Sequence, residues 1–267
     1  MRFAIIIPIH NALEDLKLCI ESVRERTHSE YELILVNDAS GRETTDFILS
    51  YCKEFKAQYI KGSKNTPEGF SKAANAGIRA AASSTEYFCI LNSDTRIGTP
   101  GWTDKIMAVG DMYPETGILT PLSNSATSQT ITFPPDTDME TMTSVIEWAT
   151  ESTYPEIYLP NGFCYIIKKK VIQQIGLFDF NTFPHYGSED DYSLMARHNG
   201  FIARVVDNVF IWHKGQASYG VSKKDTIVRQ TVQRLLNKHG KEKTRELINN
   251  NDVGLKYIKQ KVRDYYE

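Results

Sequence analysis

Residues 3–9, Phe-Ala-Ile-Ile-Ile-Pro-Ile, form an unbroken apolar run. An alternating strand can leave one face in water, but a run like this needs cover on both faces, and parallel sheets flanked by helices supply it. The chain then repeats the unit. Leu13, Leu16, Ile20 and Val23 share a helical stripe, residues 32–36 read as a second strand, and Phe47, Ile48 and Tyr51 mark a second helix. A short strand near 58–60, a helix over 69–82 and the apolar run Tyr87-Phe88-Cys89-Ile90-Leu91 continue the alternation. Repeated strand-helix units predict an α/β fold, a mostly parallel, doubly wound sheet with helices on both faces and right-handed crossovers.

After Asp94 the rhythm changes. A helix near 102–112 leads to Gly117-Ile118-Leu119-Thr120 and then to a polar, proline-containing stretch, 123–138, that reads as a long loop. Such loops inside compact domains are usually functional. The spacing predicts a strand over 162–167, a short helix over 168–175, a turn at Gly176-Leu177-Phe178-Asp179 and a loop over 181–188. A helix over 190–199, strands 201–206 and 209–213, and a helical segment from about Lys224 complete the chain.

Composition narrows the partners. With 267 residues and a net charge of -2, the chain has length for a full core and no basic surplus to attract nucleic acid. Lys168-Lys169-Lys170 is a solvated helix start. Cys19, Cys52, Cys89 and Cys164 are spread widely with no Cys-x-x-Cys pair, so they read as free thiols of a reducing compartment, unable to build a zinc site. The first residues enter a strand directly, without a leader pattern, and no apolar run approaches a membrane span. A cytoplasmic protein is expected, with peripheral attachment to the inner face of the membrane compatible with these features.

Several strand ends carry chemistry. Asn92-Ser93-Asp94 terminates an apolar run and so stands at the carboxyl edge of the sheet, where open α/β sheets bind ligands. An acidic turn there suits a divalent cation carrying a phosphate, although alone it is more often an Asx-type loop. Asp38 closes the second strand, placed either to accept hydrogen bonds from a base or ribose or to cap the following helix. His213 ends a later strand and can complete a metal site begun by a distant carboxylate, with Lys214 adding charge against a diphosphate. Glu189-Asp190-Asp191 precedes a helix, and three carboxylates exceed what capping requires, so one of them can serve as a general base. Pro8-Ile9-His10-Asn11 stands where a dinucleotide fold would place Gly-x-Gly-x-x-Gly, and no Gly-x-x-x-x-Gly-Lys phosphate loop occurs.

Together these residues resemble the family 2 glycosyltransferases of the GT-A fold, from Phe3 to about Gly220. Residues 5–11 are similar to the family's opening strand and turn, with His10 in place of the usual aromatic, and residues 32–40 to the strand whose aspartate binds the base, here Asp38. Residues 69–78 resemble the helix beside the nucleotide, with Asn75 its most characteristic position. Leu91-Asn92-Ser93-Asp94-Thr95 looks like the family's Asp-x-Asp element in an Asn-x-Asp variant. The resemblance therefore implies nucleotide contacts from Pro8, His10, Asn11, Asp38, Asn75, Asn92 and Ser93, and a Mn²⁺ or Mg²⁺ ion held by Asp94 and His213.

Residues 159–167, 175–179 and Trp212-His213-Lys214-Gly215 with Ser218 and Tyr219 look like a bacterial branch that builds surface polysaccharides. Aligned on Asp191 and Gly200, Glu189 falls on the catalytic-base position and Asp191 beside it, while Ser188 and Met195 depart from an acidic residue and an arginine. The implied organisation is a GT-A domain over 1–220, with a nucleotide-binding half (1–98) and an acceptor and catalytic half (99–220), and a helical extension over 221–267 packed on it. The implied activity is metal-dependent, inverting transfer of a hexosyl or deoxyhexosyl group from a UDP-, dTDP- or GDP-linked donor to a saccharide or lipid-linked acceptor. A sugar-nucleotide-synthesising nucleotidyltransferase should instead carry a basic, glycine-rich loop after the first strand. A non-catalytic nucleotide- or sugar-binding module is the other rival, which Asn92, Ser188 and Met195 keep open. Donor choice is expected to lie with loops 120–135 and 160–165.

Overall fold

The computed structural model describes residues 1–62, 66–215 and 221–267, of which 221–228 and 243 are described by their backbone. Chain order in the first part is β1 (Phe3–Ile9), α1 (Leu13–Arg26), β2 (Tyr31–Asn37), α2 (Arg42–Phe55), β3 (Gln58–Lys61), α3 (Phe70–Ala80) and β4 (Tyr87–Leu91). The second part runs β5 (Thr95–Ile97), α4 (Trp102–Met112), β6 (Thr116–Leu122), α5 (Met139–Ala149), β7 (Glu156–Ile157), β8 (Cys164–Lys168), α6 (Lys169–Ile175), α7 (Ser188–His198) and β9 (Ile202–His213). Three further helices follow, α8 (Val221–His239), α9 (Lys241–Asn249) and α10 (Lys256–Tyr266).

The strands form one sheet in the order β3-β2-β1-β4-β8-β6-β9-β5, with β7 also on β9. The half from β3 to β4 is parallel throughout. Beyond it the sheet is mixed: β8 runs antiparallel to both β4 and β6, β6 and β9 are parallel, and β5 and β7 pair antiparallel with β9. Each apolar run supplies both layers of core, as the lack of alternation requires. Ala4, Ile6, Ile34, Val36, Phe88 and Ile90 face Ala74 and Ile78 of α3, while Phe3, Ile5, Ile7, Leu33, Leu35 and Leu91 face Leu16 and Val23 of α1 and Trp102 of α4.

Three local readings change. Residues 201–206 and 209–213 are one strand, because β9 carries the polar pair Asp207-Asn208 through as a register irregularity between Val206 and Phe210 rather than a turn. Residues 139–149, unassigned above, form α5, whose start is fixed by Asp138 accepting from Thr141 N at 2.9 Å. The helix expected from 190 starts at Ser188, so Glu189 and Asp190 lie inside its first turn. Cys19, Cys89 and Cys164 are buried free thiols and Cys52 is half-buried; burial pushes the Cys19 thiol up to about 12. Among the described residues no helix is long and apolar enough to cross a membrane.

Candidate active site

Parallel register brings the ends of β1, β2 and β4 to one edge, since Ile9 lies opposite Asn37 and Ile6 opposite Ile90. Asp38 N donates to Ile9 O at 2.7 Å and His10 Nδ1 lies 2.8 Å from Asp38 O. Asn11 N donates to Ser40 Oγ at 2.9 Å, and Asn11 Oδ1 accepts from Gly41 N at 2.8 Å. The two exits are thus stitched together, with Asn11, Ala12 and Ala39 held at φ 59, 52 and 57. Left-handed backbone at non-glycine residues costs energy and persists where surrounding contacts over-determine it, typically beside a binding site.

Asp38 does not cap the helix that follows it, α2, whose N-cap position is Gly41 and carries no side-chain cap. Its oxygens instead accept from Glu68 N and Gly69 N, both at 2.9 Å, at the entry to α3. Gly69 sits at φ 98, where an added Cβ would lie 2.6 Å from Pro184 O and 2.7 Å from the His185 ring. The 38 turn, the α3 entry and the 181–187 loop therefore converge. Each carboxylate oxygen keeps a second lone pair for a ligand donor.

On the other side of β1, Asp94 Oδ1 and His213 Nε2 stand 3.3 Å apart. The first residue of β5, Thr95, pairs directly with His213, which fixes that approach. His213 Nδ1 is 2.6 Å from Ser125 O, and because a carbonyl only accepts, Nδ1 carries a proton there and the Nε2 edge of the ring faces Asp94. A proton or a cation fits between Nε2 and the carboxylate oxygen. Imidazole and carboxylate suit a divalent ion that takes its remaining ligands from diphosphate and water. Among the described residues no group of three His, Cys, Asp or Glu gathers as a metal site. The side chains of Asn92 and Ser93 are half-buried at this edge, and Pro8 lies in β1 beside it. Lys214 is drawn to Asp15 of α1 at 2.9 Å, an ion pair partly open to solvent that releases at little cost.

Segment 161–163 joins this edge to the acidic cluster. Phe163 stacks on His213 at 5.4 Å and 21°, and its carbonyl accepts from Asn92 N at 2.9 Å. One residue earlier, Gly162 faces Glu189: an added Cβ there would lie 3.1 Å from Glu189 Cδ. A side chain at 162 would push the carboxylate away. Glu189 is partly open to solvent yet recessed among protein atoms, and that desolvation raises its pKa against the opposing hydrogen bonds, including Ser188 Oγ at 3.0 Å. Asp190 beside it is pushed up to about 8, by burial first and then by the Glu189 and Asp191 charges.

Two expected site residues look elsewhere. The buried Asn75 amide is engaged by the Phe178 backbone, so any influence on a nucleotide passes through the loop it holds. Asp191 turns inward to Lys238 and His239 on α8. Ser218, Tyr219 and the expected boundary at Gly220 lie outside the described residues. Sequence reasoning missed Asn124 and Ser125, which orient His213 through its backbone and ring, and His185, packed against Gly69. The 123–138 loop signal pointed to the first two; nothing marked His185. A surface cavity lined by Arg24, Tyr31, Tyr51 and Phe55 lies at the starts of β2 and β3, the opposite edge, and contains none of these residues.

Residues 4–108 match the family model described as glycosyl transferase family 2. An uncharacterized glycosyltransferase of Rickettsia bellii is 36% identical over 93 residues, which is 35% of this chain and 13% of that protein. The chain spans between 13% and 30% of the length of the curated relatives it matches. Among solved structures, the mannosyltransferase PcManGT of Pyrobaculum calidifontis in complex with GDP-Man and Mn²⁺ superposes with a TM-score of 0.69 at 13% identity, covering 98% of this chain and 73% of that one. S. aureus TarS 1-349 in complex with UDP gives 0.62 at 16% identity, covering 94% and 71%. At these identities the likeness is one of fold, and the fold is of the GT-A type.

Proposed function

Because the chain has a GT-A type fold and resembles the family 2 glycosyltransferases over residues 4–108, we propose that it is a metal-dependent, inverting glycosyltransferase. It moves a hexosyl or deoxyhexosyl group from a UDP-, dTDP- or GDP-linked donor to a saccharide or lipid-linked acceptor in cell-surface polysaccharide or glycan biosynthesis. It works in the cytoplasm, with peripheral attachment to the inner face of the membrane compatible with this reading. Residues 1–98 are the nucleotide-binding half, 99–220 the acceptor and catalytic half, and 221–267 the helical extension. The observation that carries the reading is the 161–163 segment, which sets the Asp94–His213 pair on one flank and the Glu189 carboxylate on the other.

Asp38 and the Pro8, His10 and Asn11 turn hold the nucleoside, while Asn92 and Ser93 line the path to the phosphates and Asn75 braces the adjoining loop. Asp94 and His213 hold Mn²⁺ or Mg²⁺, which offsets charge on the departing diphosphate when bound. Glu189 takes the proton from the acceptor hydroxyl as that oxygen bonds to the anomeric carbon. The bond from that carbon to the diphosphate breaks, and the nucleoside diphosphate leaves with the electron pair. A carboxyl whose pKa is raised by burial is the better proton acceptor for this step.

A screen of UDP-, dTDP- and GDP-sugars with simple saccharide acceptors, read by nucleoside diphosphate release, tests the reading. Release with one donor class that stops in EDTA and returns with Mn²⁺ is the expected result. Synthesis of a sugar nucleotide from sugar phosphate and nucleoside triphosphate would replace it with the nucleotidyltransferase. Indifference to every nucleotide would leave a binding module.

A further inference from the structure

The 176–179 turn, Asn75 and Asp191 have no direct task in the proposed chemistry, yet in space they form one assembly. Asn75 on α3 donates to Phe178 O at 2.9 Å and accepts from Phe178 N at 3.0 Å. The next residue, Asp179, accepts from Thr182 N at 3.2 Å and from Lys238 Nζ at 3.0 Å. Lys238 reaches on to Asp191 Oδ2 at 2.9 Å, and His239 Nε2 lies 2.7 Å from Asp191 Oδ1. Tyr192 OH, beside Asp191, donates back to Gly176 O at 2.9 Å. Apolar contact reinforces the circuit, since Leu235 of α8 and Leu247 of α9 share a core with Leu159, Phe183 and Leu194.

This assembly differs from a solvated ion pair. The side chains of Asp191 and His239 are 2% and 4% exposed. Burial works against the Lys238 charge, yet the Asp191 and Asp179 carboxylates outweigh it and raise its pKa. Both Asp191 oxygens have partners, so Asp191 is poorly placed to take a proton from an acceptor. The start of α7 also lacks local support: Gly187 occupies the cap position without a side-chain cap, and Glu189, Asp190 and Asp191 crowd the first turn. The helix dipole favours carboxylates there, but they repel one another, and a cation brought from α8 relieves that repulsion.

We infer that Lys238 and His239 are positioning residues for transfer. By holding Asp191 they lock the first turn of α7 so that the Glu189 carboxylate stays against Gly162, and they make the last turn of α8 part of the working site. This rests on the reading of Glu189 as the base.

The test uses the full chain and compares wild type with Lys238→Met, Lys238→Arg and His239→Asn by two readouts. Hydrogen exchange of the Asp191 and Tyr192 amides, the first of α7 that bond to a carbonyl one turn back, reports the lock itself, with no need of turnover. Steady-state kinetics with the donor that the nucleoside diphosphate release screen identifies reports its consequence. Lys238→Met should speed exchange in that turn and lower kcat about 10-fold with the donor KM within about twofold, as expected for a misplaced base. Lys238→Arg, which keeps the charge, should restore most of both. If Lys238→Met fails to fold, His239→Asn carries the same readouts. Unchanged exchange in the folded variants, faster exchange with unchanged kcat, or a Lys238→Arg variant as impaired as Lys238→Met would overturn the inference. Glu189→Gln measured alongside separates the two failures: intact transfer there sinks the base reading, whereas the exchange data judge the lock alone.

Discussion

The Asp38–Asp94 edge and the first turn of α7 are built on different principles. At the edge, backbone geometry places the candidate site residues: parallel register sets the strand ends, and main-chain groups at 9, 68, 69 and 125 orient Asp38 and His213. At α7, side chains far off in sequence do the placing, with Lys238 and His239 lying 47 and 48 residues from Asp191. The edge is therefore expected to tolerate loss of its carboxylates without loss of fold. The α7 turn couples function to stability.

The sharpest way to break that contrast is Glu189→Gln, which keeps the shape of the α7 turn and removes only its capacity to take a proton. Transfer should fall roughly 10²- to 10⁴-fold while donor and Mn²⁺ binding stay near wild type. A near-normal rate for Glu189→Gln together with a dead Asp191→Asn would move the base to Asp191. Next in size is Asp191→Ala, expected to cost about 3 kcal/mol in urea unfolding, near the low end for breaking a buried pair because Lys238 keeps Asp179 and can turn to water. A cost below about 0.5 kcal/mol would put Asp191 with Asp94, whose partly exposed side chain can be removed at almost no cost.

At the edge the expected changes are in binding. Asp38→Ala should raise the donor KM about 10-fold with little change in kcat, because nucleoside contacts are made equally in the ground and transition states. A loss of about 1 kcal/mol in stability with an unchanged KM would reduce Asp38 to its bonds with Glu68 N and Gly69 N. The smallest effect concerns pH. A base must be ionised, and burial raises Glu189 while Asp190 is pushed up to about 8, so the rate should fall with acidification above the ordinary carboxylate range, as one limb belonging to the pair. A limb near the free-glutamate value of about 4.3 would place the acting carboxyl in open solvent.

The same contrast explains what the sequence disclosed. The runs 3–9, 32–36 and 87–91 announce buried parallel strands, and their ends announce the edge, because strand, turn and candidate residue are contiguous. Asp207-Asn208 looks like a turn and is carried inside β9, since the irregularity depends on how β6 pairs with it. The tautomer of His213 depends on Ser125, 88 residues earlier, and the partners of Asp191 on the last turn of α8. Periodicity reports neither. Asn75 stood out as a characteristic position, but its engagement with the Phe178 backbone is a fact of tertiary packing.

The central claim is that Asp94 and His213 together present a cation to a nucleoside diphosphate. Calorimetric titration of UDP and GDP into the wild type and Asp94→Ala, with and without Mn²⁺, tests it most directly. Binding by the wild type that strengthens with Mn²⁺, and an Asp94→Ala variant that is folded but insensitive to Mn²⁺, is the predicted result. Nucleotide binding that ignores Mn²⁺ in both proteins, or an Mn²⁺ effect that survives in Asp94→Ala, would contradict it.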